Sequence, residues 1–546
     1  DTVLVKLVRE RNKTININKI YFDAYHQEKT SAGDRFPDAT IAINEQMNRG
    51  ALFVNYIGHG GEIALAHERV VQIQDILSWN NHSKLPVMIT ATCAFTPYDN
   101  PSLVSAGENV ILNPNGGAIA LMSTTRVAFA SYNLTINMRI YDTLFSASTG
   151  QYPRVGDLIM CSKVPNNVHF RNFTLFGNPA LKIAFPESKI IIDSINGKPA
   201  TIYRDTLKAG DHVNFSGYIA DHDINTIHSN FNGTLFPVLY DKAKKISTLA
   251  NDPASMVYQF DLQQEIIYKG MAEVKNGRFL FSFVIPQDIM YNYGAGKLSL
   301  YASDGQHDAA GYFNNLILGG YLENIEDQSG PDIELYLNSK TFYDGCTTHN
   351  SPTLYVDLYD ESGINHLGIG IGHDIVANLD GPVNDSFILN DYYVPQVNDF
   401  RSGSIVFPLN NLPNGQYNLR LKAWDVVNNS SVATISFIIS DNIKTNITQV
   451  FNYPNPVREY TYFTFQHNQF DSPLTIKINI HDFTGKLVHT IGPIEIVGSG
   501  YNIEPIYWNG EANNTKLKSG LYVYRIEVTS ALGGTSVINQ KLIISN

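Results

Sequence analysis

A histidine and a cysteine, two side chains that can act together in nucleophilic catalysis, each follow a short apolar run near the start of the chain. His59 lies in the turn "GHGGE", directly after "LFVNYI", and Cys93 ends the stretch "PVMITATC". A cysteine attacks as its thiolate, and a nearby imidazole can accept the thiol proton and later pass it to the leaving amine. The two residues are therefore candidates for a nucleophile, Cys93, and its general base, His59.

The segments around this pair alternate between apolar runs and helical patterns over residues 1–186. Continuous apolar strands that alternate with helices are typical of a buried, mostly parallel α/β sheet. Glycine commonly ends a helix, and Gly50 stands where the helical pattern stops. We predict strands over residues 19–25, 51–57, 86–92 and 116–122, and helices over residues 37–49, 70–79, 102–112 and 132–145.

A parallel sheet of this kind places His59 and Cys93 at the same edge, because catalytic groups gather outside the carboxyl ends of its strands. The 34 residues that separate them accommodate one helix and its loops, so the two strands can be neighbours. The glycines of the turn have a separate function, since glycine lets backbone N–H groups approach a tetrahedral oxyanion closely. We expect the N–H groups of Gly60 and Cys93 to form this oxyanion hole.

A zinc site built from His59, Glu62 and His67 is the competing chemistry. Its spacing matches no compact metal motif, and no pair of cysteine ligands lies nearby in the sequence. The other two cysteines, Cys161 and Cys346, have neither an adjacent base nor a glycine turn, so we expect them to be core residues. The sequence therefore predicts a catalytic site that uses no metal and no cofactor.

The overall composition limits the classes of protein to consider. The 546 residues correspond to three or four domains, and a net charge of −12 argues against a protein that binds nucleic acid. Charged residues make up only 16% of the chain while 31 tyrosines are present, a balance that favours an extracellular, strand-rich protein. No apolar run reaches the ~20 residues that a membrane-spanning helix needs.

Beyond residue 186 the apolar residues recur at every second position, which is typical of half-buried β-strands. Examples are "GRFLFSFVI", "KLSLYASD", "TLYVDLYD" and "YNLRLKAWD". "YIADHDIN" is echoed by "DLYDESGIN", and this weak repeat predicts two Ig-like β-sandwich modules, over residues 187–330 and 331–445. One large β domain is the alternative. The last hundred residues, 446–546, form a further β unit.

The segments around the two candidate catalytic residues resemble the gingipain-like family of cysteine peptidases, within the caspase-like clan. "NYIGHGGE" and "ITATCAF" are similar to the apolar blocks that end in His-Gly and Ala-Cys in that clan, with Thr92 where the clan has alanine. "MSTTRVAFAS" and "NFTLFGNPALKI" resemble the family's segments after the nucleophile. The resemblance covers residues 1–186 and implies a caspase-like α/β fold with endopeptidase activity.

The same resemblance indicates which residues contact the substrate. By alignment to the gingipain segment, Val127 and Phe129 line an apolar recess without an acidic residue, which implies small or uncharged residues before the scissile bond. The family often orients its histidine with an upstream acidic residue, and the Asp candidates here are Asp1 and Asp23. The family's first strands are not recognisable, so we expect the chain to be the C-terminal part of a longer protein.

The last hundred residues carry a second resemblance. "YPNPV", "GKLV", "WNG" and "SGLYVYRI", in this order, are similar to the C-terminal sorting domain of type IX secretion cargo. A gingipain-like core that retains this domain implies a type IX sortase at the extracellular face of the outer membrane. Such an enzyme removes the sorting domain from secreted cargo through a thioester and transfers the cargo to anionic lipopolysaccharide.

The resemblance also implies that the retained domain binds an outer-membrane β-barrel, PorV. Two alternatives stay open, a secreted gingipain-like degradative protease before its maturation and a surface adhesin without catalysis. The predicted fold class is a caspase/gingipain-like α/β catalytic domain over residues 1–186, followed by all-β Ig-like sandwich modules over 187–330 and 331–445. A C-terminal β-sandwich sorting domain over 446–546 completes it.

Overall fold

The computed structural model of the chain contains two compact units. It describes residues 2–146, 152–164, 167–221, 224–342, 344–440, 444–469, 473–497, 501–513, 515–530 and 534–545. The first unit comprises residues 1–207, 214–281 and 290–320, and the second comprises residues 208–213, 282–289 and 321–546. The finer division of the chain into four domains, at residues 186, 330 and 445, stays a prediction.

The first unit begins with an α/β domain. Its helices and strands are, in chain order, α1 (Thr2–Arg11), β1 (Glu28–Thr30), β2 (Gly33–Arg35), α2 (Pro37–Arg49), β3 (Phe53–Ile57), β4 (Ala64–Leu65), β5 (Val71–Gln72), α3 (Ile73–Ser78), β6 (Val87–Ala91), α4 (Ala106–Leu112), β7 (Ala120–Thr124), α5 (Ala130–Ser146), α6 (Val155–Ser162), α7 (Val168–Arg171) and β8 (Phe173–Gly177). Single 3-10 turns lie at Phe22–Ala24 and His82–Lys84. None of the helices in the described part of the chain is long and apolar enough to span a membrane.

The central sheet of this domain has the strand order β3-β6-β7-β8. Strands β3, β6 and β7 are parallel, and β8 runs antiparallel to β7. Every residue of β6 and β7 is buried, because alternate side chains enter two cores. Ile89 packs with α5 and α6 on one face, and Met88 packs with α3 and α4 on the other. This two-sided burial is why the strands read as continuous apolar runs.

Most of the elements predicted for this domain are confirmed, including the helix that Gly50 closes at φ +97°. The strand predicted over residues 19–25 is wrong. This segment is irregular and includes the 3-10 turn, because its polar side chains bond to backbone groups of residues 250, 251 and 261 and its own backbone pairs with none of the described strands. Asp23 accepts hydrogen bonds from the backbone of Ala250 and Asn251, and Lys19 donates to the carbonyl of Asp261.

A strand-rich region follows in the chain. Its strands are β9 (Ser188–Ile195), β10 (Lys198–Pro199), β11 (Thr206–Ala209), β12 (His212–Ala220), β13 (Gly233–Tyr240), β14 (Lys244–Ser247), β15 (Gln259–Leu262), β16 (Ile266–Lys269), β17 (Ala272–Lys275), β18 (Arg278–Val284), β19 (Gly294–Ser303) and β20 (Asp308–Tyr321). The pairing runs β9-β12-β18-β17-β13-β19-β20, and β9 also pairs with β20. The strand path therefore returns to its start, and alternate residues such as Phe279 and Phe281 face the interior.

The second unit contains two β-sandwiches. The first is built from β21 (Asp332–Leu337), β22 (Thr347–Thr348), β23 (Thr353–Tyr359), β24 (Val376–Asp380), β25 (Asp385–Ile388), β26 (Tyr393–Gln396), β27 (Asp399–Pro408), β28 (Gly415–Trp424) and β29 (Ser430–Ile439), with a 3-10 turn at Asn390–Tyr392. Its sheets have the orders β21-β23-β27-β26 and β22-β29-β28-β24-β25. Their inner faces share one apolar core that includes Leu354, Leu419 and Phe437.

The second sandwich is built from β30 (Ile447–Tyr453), β31 (Thr461–His467), β32 (Pro473–Asp482), β33 (Leu487–Val497), β34 (Ile506–Trp508), β35 (Glu511–Ala512), β36 (Thr515–Lys516), β37 (Gly520–Ser530) and β38 (Gly534–Ile544). Its sheets have the orders β30-β31-β34 and β33-β32-β37-β38 around a core that includes Phe463, Ile478 and Tyr524. The predicted succession of an α/β domain and all-β modules is confirmed. Asn546, the last residue predicted for the terminal module, lies outside the described residues.

Candidate active site

The register of two neighbouring strands places the candidate nucleophile and base at one edge of the sheet. Ile57, the last residue of β3, lies opposite Ala91, the last residue of β6. His59 and Cys93 each follow two residues later, so they extend equally far beyond the paired ends. Gly58 continues the contact by donating its N–H to the carbonyl of Ala91 at 3.4 Å. The histidine turn and the cysteine loop thus leave the sheet side by side.

Gly60 packs directly against the residue before the cysteine. A Cβ atom added at Gly60 would lie 2.5 Å from Oγ1 and 3.2 Å from Cγ2 of Thr92, which is fully buried. Only glycine allows this approach, because an ordinary contact for a Cβ atom is 3.4–4 Å. The requirement for glycine after His59 is therefore steric and concerns the cysteine loop itself.

The N–H groups proposed for the oxyanion hole are not used by the surrounding backbone. Gly60 forms a β-bridge with Leu65, but the bonds of this bridge run from Gly61 to Ala64 at 3.0 Å and from Ala66 to His59 at 2.8 Å. Neither Gly60 N–H nor Cys93 N–H donates to another group within the described part of the chain. Both donors are thus available to a substrate oxygen, as an oxyanion hole requires.

The predicted substrate-contacting segment runs beside the cysteine. Thr124 Oγ1 donates to the carbonyl of Thr92 at 2.7 Å, and Ala94 N–H donates to the carbonyl of Arg126 at 3.1 Å. Cys93 Sγ lies 3.3 Å from the carbonyl oxygen of Ala128, its hydrogen-bond acceptor. Ala94 has a positive φ of 37°, so the backbone turns sharply just after the nucleophile.

The side chains of Val127 and Phe129 flank the carbonyl that faces the thiol. They are 65% and 59% exposed, which leaves them free to contact a substrate. Phe129 meets the ring of His169 edge to face at 5.0 Å, and His169 stacks on Tyr132 at 4.3 Å. No local pattern in the sequence indicated His169 or Tyr132, because their approach depends on how α5 and α7 pack.

Asp99, the acidic residue nearest to Cys93 in sequence, forms an ion pair. Asp99 is the only acidic residue in residues 93–101, and residues 124–129 contain none. The guanidinium of Arg126 donates to both oxygens of Asp99, at 3.0 and 2.5 Å. This hydrogen-bonded partner holds the pKa of Asp99 below its ordinary value. The negative charge of Asp99 is therefore already matched by a cation of the same chain.

The imidazole of His59 is exposed and has an aromatic neighbour. The ring of His67 stacks on it with 4.7 Å between centroids and 21° between planes. Within the described residues, no carboxylate forms a hydrogen bond or ion pair with His59. Both oxygens of Asp23 accept bonds from residues 250 and 251, and Asp1 lies outside the described residues. The two Asp candidates for orienting His59 therefore gain no support.

Among the described residues, the competing zinc ligands do not come together at this edge. In the part of the chain that the structure describes, His59, Glu62 and His67 are not a three-ligand cluster. The acidic residues of the second unit differ, since Asp327, Asp360 and Asp425 place carboxylate oxygens within 4.8 Å of one another, close enough to hold a metal ion. Burial, reinforced by the neighbouring Asp425, raises the pKa of Asp360 to about 7.

The other two cysteines differ in exposure. Cys346 is 5% exposed and belongs to the core of the first sandwich, as expected. The expectation that Cys161 is a core residue is wrong, because its side chain is exposed. The buried residues of α6 are Val155, Leu158, Ile159 and Ser162, which follow helical spacing and leave Cys161 outside the apolar stripe.

Comparison with known proteins gives one family match and several structural likenesses. Residues 2–184 match the profile described as Peptidase family C25. No curated protein matches the chain. Among solved structures, dimeric latent PorU from Porphyromonas gingivalis shares 29% identity and a TM-score of 0.35, over 79% of this chain and 41% of that chain.

The other structural likenesses are weaker. The Arg-specific cysteine proteinase gingipain R shares 15% identity and a TM-score of 0.28, over 57% of this chain and 61% of that chain. The complex of the Porphyromonas gingivalis RgpB pro- and mature domains shares 14% identity and a TM-score of 0.27, over 57% of this chain and 62% of that chain. The chain thus spans less than half the length of the PorU chain and just under two thirds of the other two.

The family match and the site coincide in the α/β domain. The matched residues contain β3, β6, His59, Cys93 and the segment that passes beside the thiol. They end close to the predicted limit at residue 186. Residues 2–184 thus match peptidase family C25, the gingipain family of cysteine peptidases, and this match contains the whole candidate site.

Proposed function

We propose that the chain is a cell-surface cysteine endopeptidase and transpeptidase, a type IX sortase that removes the C-terminal sorting domain from secreted cargo. The observation that carries the catalytic part is the equal extension of His59 and Cys93 beyond the paired ends of β3 and β6. A thiol and an imidazole at one sheet edge, with two unused N–H groups beside them, suit acyl transfer.

The reaction proceeds in two steps. His59 accepts the thiol proton, and the sulfur of Cys93 attacks the carbonyl carbon of the scissile peptide bond. Gly60 and Cys93 donate their N–H groups to the resulting oxyanion. As the peptide bond breaks, His59 returns the proton to the amine of the departing sorting domain, and the cargo stays on Cys93 as a thioester.

An amine then resolves the thioester. In the proposed reaction this amine belongs to anionic lipopolysaccharide, and it attacks the thioester carbonyl while its proton passes through His59 to the sulfur. The new amide bond joins the cargo to the surface polysaccharide, and the free thiol is restored. Water in place of the amine would give simple hydrolysis, the outcome expected of a degradative protease.

The terminal sandwich supports the choice of a sortase through its sequence motifs, which are similar to those of type IX sorting domains. It folds around a core of its own that includes Trp508 and Tyr524. We propose that it serves as a permanent anchor at the extracellular face of the outer membrane by binding the β-barrel PorV. Deletion of residues 446–546 should then release active enzyme from the membrane fraction.

The test uses the full chain and a recombinant cargo fragment that ends in a type IX sorting domain. With purified anionic lipopolysaccharide present, we expect the fragment to lose its sorting domain and gain the polysaccharide, as seen by mass spectrometry. Cys93→Ala and His59→Ala should abolish both changes. Cleavage at many sites, with hydrolysed products only, would instead support the degradative protease. Intact cargo in the presence of the wild-type enzyme would support the adhesin.

A further inference from the structure

A hairpin held by the core brings the ring of His67 against His59. The short strands β4 and β5 pair through Ala64 with Gln72 and Leu65 with Val71. Leu65 and Val71 are each 2% exposed and pack in the same core as Met88 of β6. The base of the hairpin is therefore fixed to the sheet that carries the catalytic pair.

The tip of the hairpin is fixed as firmly. Ala66 has a positive φ of 63°, a conformation that alanine rarely adopts. Its N–H donates to the carbonyl of His59 at 2.8 Å, and its own carbonyl accepts from Arg69 at 3.2 Å. Because His67 follows directly, the backbone that carries its ring is bonded to the backbone of His59.

The two rings lie nearly parallel at this point. Their planes differ by 21° and their centroids are 4.7 Å apart, which is within the range of stacked aromatic pairs. A face-to-face contact restricts the rotation of the His59 ring but uses neither of its nitrogens. The ring can thus keep both nitrogens for the thiol and for proton transfer.

We propose that His67 is a positioning residue that sets the plane of the His59 imidazole by stacking. It supplies the orientation that a hydrogen-bonded carboxylate supplies in related peptidases, and no carboxylate bonds to His59 among the described residues. The inference rests on the proposed function, since it concerns the general base of that reaction.

Three variants of the full chain separate stacking from other roles. His67→Ala removes the ring, His67→Phe keeps a flat ring without nitrogens, and His82→Ala removes a second exposed histidine of the same domain as a control. All are made with Cys161→Ser, so that Cys93 is the accessible thiol. The readouts are kcat and KM with the cargo fragment, the rate of Cys93 alkylation by iodoacetamide, and the melting temperature.

We expect His67→Ala to lower kcat about tenfold, a part of the roughly 10²–10⁴-fold that a positioned general base contributes. KM should not change, and alkylation should slow in parallel. His67→Phe should restore kcat to within about twofold of the parent, because a phenyl ring stacks as well as an imidazole. His82→Ala should match the parent in every readout.

Two results would overturn the inference. One is parental kcat in His67→Ala. The other is a His67→Phe variant as slow as His67→Ala although it melts at the parental temperature, since that would assign the effect to a nitrogen of His67. Failure of the proposed function is distinguishable, because the parent enzyme would then leave the cargo intact or only hydrolyse it, or Cys93→Ala would still process it, whatever the His67 variants do.

Discussion

The close contact between Gly60 and Thr92 leads to a prediction about how packing beside the catalytic residues controls kcat. A methyl group at Gly60 would lie 2.5 Å from Thr92 Oγ1, where an ordinary contact begins at 3.4 Å. The histidine turn must therefore move away from the cysteine loop by about 0.9 Å. A displacement of about 1 Å near the reacting groups can cost about 10²-fold in rate, or about 2.7 kcal/mol in activation free energy. We expect Gly60→Ala to lose this much in kcat.

The neighbouring glycine and a compensating change provide matched controls. A Cβ atom at Gly61 would meet no atom within 4 Å, so Gly61→Ala should keep parental kcat. Thr92→Ala removes both atoms that crowd the new methyl group, and its hydroxyl has no hydrogen-bond partner to leave unsatisfied in the described part of the chain. The double variant Gly60→Ala/Thr92→Ala should therefore recover most of the lost activity.

The assay is steady-state cleavage of the cargo fragment, with melting temperatures to show that each variant is folded. Overpacking costs about 1–3 kcal/mol of stability, which a folded variant can tolerate. Parental kcat in Gly60→Ala, or an equal loss in Gly61→Ala, would refute the steric reasoning. A double variant as slow as Gly60→Ala would show that the methyl group acts on something other than Thr92.

Three further predictions concern other parts of the molecule. Iodoacetamide should label Cys161 as well as Cys93 in the folded chain while the buried Cys346 stays unmodified, and Cys161→Ser should keep full activity; peptide mapping and kcat check both points. A peptide panel should show a preference for small or uncharged residues before the scissile bond, and Arg126→Ala should raise cleavage after Arg or Lys because it frees Asp99; an unchanged profile would contradict this. The pKa of Asp360 is raised to about 7, so between about pH 4 and pH 7 the folded state keeps a proton that the unfolded state has lost. The free energy of unfolding should therefore fall as pH rises through this range. Urea titrations should show a shallower fall in Asp360→Asn.

The features that depend on the periodicity of apolar residues and on strand direction could be predicted from the sequence. The apolar runs before His59 and Cys93 predicted two parallel neighbours, and the register of β3 and β6 places both residues two positions beyond the paired ends. The alternation of apolar and polar residues beyond residue 186 predicted the half-buried strands, because only one face of each strand enters a core. The roles of these site residues stay predictions.

Side-chain contacts that depend on the paths of loops were not predictable. The pairing of Arg126 with Asp99 and the stacking of His67 on His59 depend on loop paths that no local pattern encodes. The segment at residues 19–25 has the composition of a strand but is held by hydrogen bonds that Asp23 accepts from the backbone of Ala250 and Asn251. The exposure of Cys161, in contrast, was predictable, because the helical spacing of its buried neighbours is visible in the sequence.

The most direct test of the central claim is to find the covalent intermediate. The full chain is mixed with the cargo fragment without an acceptor amine, quenched in acid, and digested for mass spectrometry. We predict a thioester that joins the cargo, trimmed of its sorting domain, to the peptide that contains Cys93, and its absence in Cys93→Ala. Cargo processing that continues in Cys93→Ala, or an adduct on Cys161 or Cys346 in place of Cys93, would contradict the assignment.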